Sequence, residues 1–472
     1  MISVILDDNL RYPAADECFS PAEKYPEYAL GHLASKPNAA YHGVREVLRQ
    51  AGLDAAAFGT PDWNPLGKWI SKGQTVFILC NFVYHRRPRE SMARFESKCT
   101  HASVIRPVID YILKAVGPQG RVRFGNAPLW SCDWSRVLAE TGAAEMEAFY
   151  RKAGAPVESA DLRLFVHSRS ILPSKWEMRP SENSVTIDFG RDSLLAVLDK
   201  DHPQYRVMDY NPERTDAFHA NGSHRYVLNR HIVESDVIVS IPKLKTHEKV
   251  GITCALKGCV GAIGHKDCLA HHRKGNPGRG GDECRSDPFG LLGCLTELDE
   301  FVQKQPTGSL QKSSLQFAMR VLRRVVRPIT PTLGGAWSGN DTCWRMSLDI
   351  ARLIAHASKD GALMREIIRP HLAFYDGIVG GEGSGPLDST PVHSGALAFA
   401  SDPVHGDDCA ARLMGLDPAA FAIVREAPHL SDFALREDQS ACDHLTFNGK
   451  EIPLTRLQDF TRRPYLLPKG WR

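Results

Sequence analysis

Two hydrophobic periodicities alternate along this chain. Short apolar, β-branched runs such as TVFILC (75–80) and VIVSI (237–241) predict strands buried on both faces, where no polar alternation is needed. Between such runs lie segments whose apolar residues recur every three or four positions. In ASVIRPVIDYILKAVG (102–117), Val104, Val108, Ile112 and Val116 share one helical face, with Pro107 expected to kink the first turns. Further helices are predicted in AYHGVREVLRQAGL (40–53), WSRVLAETGAAEMEAFYRKAG (134–154), NDTCWRMSLDIARLIAHASKDG (340–361) and HGDDCAARLMGL (405–416). Further strands are predicted in RVRFGNAP (121–128), DLRLFVH (161–167), LAFYDGIV (372–379) and ALAFA (396–400). Shorter strands of an insertion are expected in SVTIDFG, YRVMDY and RYVLNRHIV, and the last 30 residues read as irregular. Strand and helix in alternation predict an α/β protein with mainly parallel sheets. PITPTLGG (328–335) breaks the pattern. It divides the expectation into a larger α/β domain, 1–330, and a smaller one, 331–472, with a cleft between them.

The most unusual run is PKLKTHEKVGITCALKGCVGAIGHK, from Pro242 to Lys266, directly after the VIVSI strand. It places Lys243, Lys245, Lys249, Lys257 and Lys266 in a stretch that otherwise reads as buried. A lysine in an apolar setting must be paired, desolvated or bound to something. The strand delivers Lys243, Lys245 and His247 to its carboxyl end, where open α/β sheets bind ligands. Lys257 then sits between TCAL and a glycine-rich stretch, where a depressed pKa makes a lysine a nucleophile or base. His247 or His265 is placed to give or take the proton. The competing expectation is that these lysines pair with carboxylates to hold the fold.

DGIVGGEGSGP (376–386) follows a strand with five glycines in nine residues, 377 to 385. Successive N–H groups in such a loop form an anion-binding nest, so Asp376, Gly381, Glu382, Gly383 and Gly385 join Lys243 and Asn81 as candidate substrate contacts; Glu382 argues for a cation or hydroxyl instead. The alternative is a structural turn. Asn81 ends the first core strand, and His85, Arg86 and Arg87 after it suit an anionic substrate. Asp402, His405, Asp407 and Asp408 form a polar group at a helix start, where capping explains the aspartates. GNPGRGGDECRSD (275–287) reads as a flexible loop, a candidate lid.

Composition narrows the classes. Over 472 residues, 43% hydrophobic and 24% charged content is that of an ordinary globular protein, and a net charge of +3 gives no reason to expect nucleic acid. No apolar run reaches the roughly 18 residues of a spanning helix, and the N-terminus lacks a signal-peptide pattern, so a cytoplasmic location is expected. The helix in SSLQFAMRVLRRVVR, with Arg320, Arg323, Arg324 and Arg327, suggests peripheral contact with a membrane or an acidic partner, against a plain solvated face. The twelve cysteines form no CxxC pair. Cys254, Cys259, Cys268 and Cys284, with His265, are candidate ligands of a metal or iron–sulfur cluster, against small buried thiols.

Together IPKLKTH, TCALKG, WSGNDTCWRMSLD, DGIVGGEGSGP and DPVHGDDCAARLMGLDP resemble the domain-of-unknown-function family DUF362, from about Lys72 to about Pro418 and on to the terminal PKGW. Many members are linked to ferredoxin-type cluster segments, which this chain lacks. A more distant resemblance is to lactate racemase-type proteins, where a histidine stands ten residues before a glycine-flanked lysine that holds a nickel-pincer cofactor. His247 and Lys257 have that spacing, although Ala255-Leu256 replace the double glycine. The expectation is therefore an enzyme binding a small anionic molecule, with Lys257, His247 and Lys245 at its centre. The alternatives are a metal or iron–sulfur protein in electron transfer or cofactor maturation, and a non-catalytic ligand-binding module.

Overall fold

Eleven strands join into a central sheet: β1 (Ile2–Leu6), β2 (Thr75–Cys80), β3 (Arg121–Asn126), β4 (Val157–Asp161), β5 (Val237–Ile241), β6 (Lys243–His247), β7 (Gly251–Ile252), β8 (His371–Ser384), β9 (Asp388–Ala400), β10 (His444–Phe447) and β11 (Lys450–Pro453). They belong to a computed structural model that describes every residue except 15–16, 169–174, 209, 288–289, 306–308, 327–331 and 438–441. The spatial order is β11-β10-β1-β9-β8-β5-β2-β3-β4, while β6 lies beside β8 and carries β7. From β8 to β4 the pairings along this order are all parallel. The β8–β9 hairpin and the β1–β9 pair are antiparallel.

Side chains of alternate residues feed two cores, as the pleat requires. Val76, Ile78 and Cys80 of β2, with Val237, Val239 and Ile241 of β5, pack with residues of α1 (Ala39–Gln50) and α2 (Ala102–Val116). Phe77, Leu79 and Ile238 belong to the other core, with α3 (Cys254–Gly258), α5 (Cys343–His356) and α6 (Pro403–Leu413). Between α3 and α5 in sequence runs α4 (Leu310–Val326). The cores explain why β2 and β5 carry no polar alternation: both faces are covered.

The expected division near residue 330 has no counterpart in the sheet. β8 and β9, from the second predicted domain, lie between β1 and β5 of the first. Hydrogen bonding of β5 and β1 to this hairpin makes one sheet of both segments. The glycine run also differs from expectation. DGIVGGEGS is not a loop but the second half of the 14-residue strand β8, laddered to β9 from Gly377↔Ala396 to Ser384↔Asp388. The run is laddered into the sheet instead of standing as an open loop, while the Gly383 N–H bonds the Leu466 carbonyl and the Val379 N–H the Tyr12 hydroxyl. Except for Gly383, which adopts φ +79° with open space around it, the glycines are there for close approach: a Cβ at Gly380 would strike the Tyr465 hydroxyl and come 2.8 Å from the Leu244 carbonyl, and one at Gly381 would stand 2.6 Å from the Ser97 carbonyl.

Other departures are local. WSRVLAETGAAEMEAFYRKAG forms two helices, because Gly142 adopts φ +78° and ends the first. The tail contributes β10 and β11 where irregular chain was expected, and β10 runs parallel to β1, itself unforeseen. The 275–287 segment is pinned, not a lid: buried Asp282 accepts N–H bonds from Arg273 and Asp341 and a 2.6 Å bond from the Thr342 hydroxyl. Helix α4 turns apolar residues outward, with Phe317 63% and Val325 71% exposed, and Arg323 pairs with Asp299 at 2.5 Å. Arg327 lies outside the described residues. Among the described residues no helix is long and apolar enough to cross a membrane.

Candidate functional site

Pro242 organises the site. Having no N–H for the ladder, it separates β5 from β6, while its carbonyl accepts the Asp376 N–H at 2.9 Å. The chain continues along β8, with Lys243 opposite Asp376 and Lys245 opposite Gly381. Lys243 and Lys245, two residues apart, share a face, and both are fully buried.

Their environments differ. Lys243 is neutralised: its Nζ lies 2.8 Å from Asp376 Oδ2 and also donates to the Tyr12 hydroxyl. The same carboxylate accepts the Tyr12 hydroxyl at 2.6 Å and the His101 N–H at 3.2 Å. This saturated, buried network matches the expectation of a structural pair, and places Lys243 and Asp376 in the framework. Lys245 has no such partner. Its Nζ donates to the Lys98 carbonyl at 2.7 Å, and burial, reinforced by the charges of Lys243, Lys98 and Lys257, pushes its pKa down to about 7.

Helix α3 presents Lys257. Strand β7 turns the chain back on β6, with Thr253 N–H bound to the Lys245 carbonyl at 2.9 Å, and α3 begins one residue later. Asp407 on α6 fastens that start: its carboxylate accepts the Ala255 and Leu256 N–H groups at 2.8 and 2.9 Å and the Tyr375 hydroxyl at 2.8 Å. Burial pushes Asp407 up to about 7 against these bonds, which favour its charged form. Lys257 is 7% exposed. Among the described residues it has no ion pair and no hydrogen bond through its ammonium; burial lowers its pKa, opposed only by the thiols of Cys343 and Cys259.

His247, at the end of β6, is 4% exposed, and its Nδ1 accepts the Lys249 N–H at 3.1 Å. That bond assigns the ring proton to Nε2. Burial, then the charges of Lys257, His271, Lys249 and Lys245, hold the imidazole neutral, far below its ordinary pKa. Lys249 donates to the Gly334 carbonyl, and His271 is depressed by burial and by Lys257 and Lys249. Lys266, lowered to about 7, feels Lys257 as well. The arrangement is a buried cluster of lysines and neutral histidines around Lys257.

Two buried polar groups near it lack partners: Asn81 Oδ1 and the Thr253 hydroxyl, on residues 8% and 4% exposed. Asn81 closes β2, and its backbone pairs with Thr100 beside Lys98. Thr253 and His271 were not among the residues singled out from sequence; the orphaned Thr253 hydroxyl becomes visible only once the turn between β7 and α3 is built.

The other candidates go elsewhere. Glu382 is held by Arg463 through two bonds, 2.7 and 2.9 Å, and by the Leu466 N–H at 2.8 Å, so it anchors the C-terminal segment. Gly383 donates to the Leu466 carbonyl at 2.7 Å, and a Cβ at Gly385 would strike the Thr246 carbonyl. Arg87 pairs with Asp388, and His85 accepts the Asp133 N–H. Asp402 caps α6, accepting the His405 N–H at 2.9 Å.

The thiols do not fit a metal or iron–sulfur cluster. Cys259 points at the Ala255 carbonyl and Cys268 at the His265 carbonyl, 3.4 and 3.0 Å away. Cys284 packs with Leu292 and Leu295, and His265 faces Asp267 at 3.9 Å. Among the described residues no three His, Cys, Asp or Glu side chains converge to hold a metal ion.

No curated protein and no solved structure matches the chain, so the likeness to lactate racemase-type proteins stands on the spacing of His247 and Lys257 alone. The family model described as Domain of unknown function (DUF362) does match, over residues 195–412, a segment that holds β5 to β9, α3 and Asp407, so over that segment the chain is similar to DUF362.

Proposed function

We propose that the protein is an enzyme that binds a small anionic molecule beside Lys257. One observation carries this reading: a buried lysine ammonium, without ion pair or hydrogen bond among the described residues, is set among further basic groups. An uncompensated buried ammonium costs several kcal/mol, on the order of the penalty for any lone buried ion. A fold that keeps one, and fixes its helix with Asp407, has a use for the charge or for the free amine. An anion entering the site restores the missing counter-charge.

The roles follow from the protonation states. Lys257 is either the cation that holds the substrate or, once deprotonated, a nucleophile; its lowered pKa favours the second. His247 is neutral with its proton on Nε2, so it donates a hydrogen bond to a developing negative charge instead of acting as a cationic acid. Lys245 supports the field from the β6 side.

The test is Lys257→Met and Lys257→Arg, with binding of phosphate and small carboxylates followed by isothermal titration calorimetry. Lys257→Met should fold with an unchanged circular-dichroism spectrum and bind no anion, while Lys257→Arg keeps partial binding. An unfolded Lys257→Met protein would show that the lysine serves the structure, and undiminished binding would move the site elsewhere.

A further inference from the structure

We infer that the ligand presents two negative charges on one compact group, the chemistry of a phosphate or phosphate monoester, and not a single carboxylate. This rests on the anion-binding reading of the Lys257 site and deepens it.

The argument counts compensation. Lys243 is matched by Asp376 at 2.8 Å. Glu248 and Asp282 offset Lys249, and Asp161 offsets Lys266. Among the described residues neither Lys245 nor Lys257 makes an ion pair: Lys245 bonds the Lys98 carbonyl, and the groups that oppose the shift of Lys257 are the thiols of Cys343 and Cys259. The carboxylates close by are taken: Asp376 by Lys243, Tyr12 and His101, and Asp407 by two backbone N–H groups and Tyr375. Two buried lysines therefore await two negative charges.

Geometry puts the two within reach of one group. Thr253, bonded through its N–H to the Lys245 carbonyl, directly precedes α3, and Lys257 stands about one helical turn further on. The charge of Lys257 lowers the proton affinity of Lys245 and of Lys266. A monocarboxylate would compensate one and leave the other. A phosphate group also has oxygen acceptors to spare, and the site holds unsatisfied polar atoms to meet them: the Thr253 hydroxyl as donor, and the Asn81 side-chain amide, whose two ends exchange by a flip. Beyond Lys257, a Cβ built on Gly258 meets nothing within 4 Å, so there is room for the rest of an ester beside the helix.

The experiment separates charge from shape. Methyl phosphate and methyl sulfate are both tetrahedral esters, but at pH 7 the first is mostly dianionic, its second pKa lying near about 6 as for a phosphorylated side chain, while the second is a monoanion. Dissociation constants of both for the full chain, measured by calorimetry at fixed ionic strength, should favour methyl phosphate at least tenfold. Lys245→Met and Lys257→Met should each erase that preference, and Lys243→Met is not informative because Lys243 holds the fold. Equal affinity for the two esters overturns the two-charge inference and leaves the anion site standing. Binding of neither overturns both. A preference that survives in both lysine variants also overturns the inference, because the charge count would then reside in other residues.

Discussion

Replacing Lys245 by Met should make this protein more stable. Burial moves the ammonium of Lys245 from 10.5 to about 7. At about 1.4 kcal/mol per tenfold change in proton affinity, the charged form costs the fold roughly 5 kcal/mol below pH 7. Met fills nearly the same volume without the charge, but leaves the Lys98 carbonyl, now bonded at 2.7 Å, without its donor. That loss is worth about 1–3 kcal/mol. The net expectation at pH 6 is a gain of about 2–4 kcal/mol, in line with the exchange of buried ions for apolar side chains. The sign with pH is fixed. The unfolded lysine keeps its proton to about 10.4, and the folded one releases it near 7. Between these values the unfolded state holds more protons, so the native protein gains stability as pH rises. The advantage of Lys245→Met must shrink over that window and reverse before pH 10, where only the lost bond to the Lys98 carbonyl remains. Urea unfolding followed by circular dichroism at pH 6, 7.5 and 9 measures it. A variant less stable than the native protein at pH 6, or a difference that ignores pH, would refute the claim that Lys245 is an uncompensated charge.

Three further outcomes are expected. Asp407→Asn keeps the shape but turns an amide donor toward one of three buried donors, and should cost about 1–3 kcal/mol, with faster hydrogen exchange at Ala255 and Leu256. Glu382→Ala removes the group that holds Arg463 and the Leu466 N–H, and should cost about 1–3 kcal/mol and open the 463–472 segment to limited proteolysis. Gly380→Ala puts a methyl against the Tyr465 hydroxyl and the Leu244 carbonyl, and overpacking of that kind costs about 1–3 kcal/mol in a thermal or urea melt.

Where burial alone decides, the sequence was legible. TVFILC and VIVSI could only be covered strands, and the four-residue spacing from Val104 to Val116 could only be a helix; all three are in place. The burial of Lys257, His247 and Lys245 was legible because they stand in an otherwise apolar run. The topology was not legible, because strand order depends on pairing between residues hundreds of positions apart: Ile2 faces Ala400, and Ile238 faces His371. The glycine run misled for a related reason. Glycine marks a turn or a close approach with equal force, and only the positions of Leu244, Ser97 and Tyr465 show that here it is approach. Lys243 likewise needed Asp376, 133 residues away, before it could be told apart from Lys245.

The place of the β8–β9 hairpin in the sheet sets an order of events during synthesis. β5 ends at Ile241 and β8 begins at His371. At about 5–20 residues per second, the β5 edge leaves the ribosome on the order of ten seconds before the strand that covers it. Through that interval an apolar strand stands with open N–H and C=O groups, the kind of edge that recruits other chains. β1 waits longer still for β9. The sheet can therefore close only from the middle and only late. β8 also flanks β6, so the lysines are drawn out of water only when β8 seals the edge beside them.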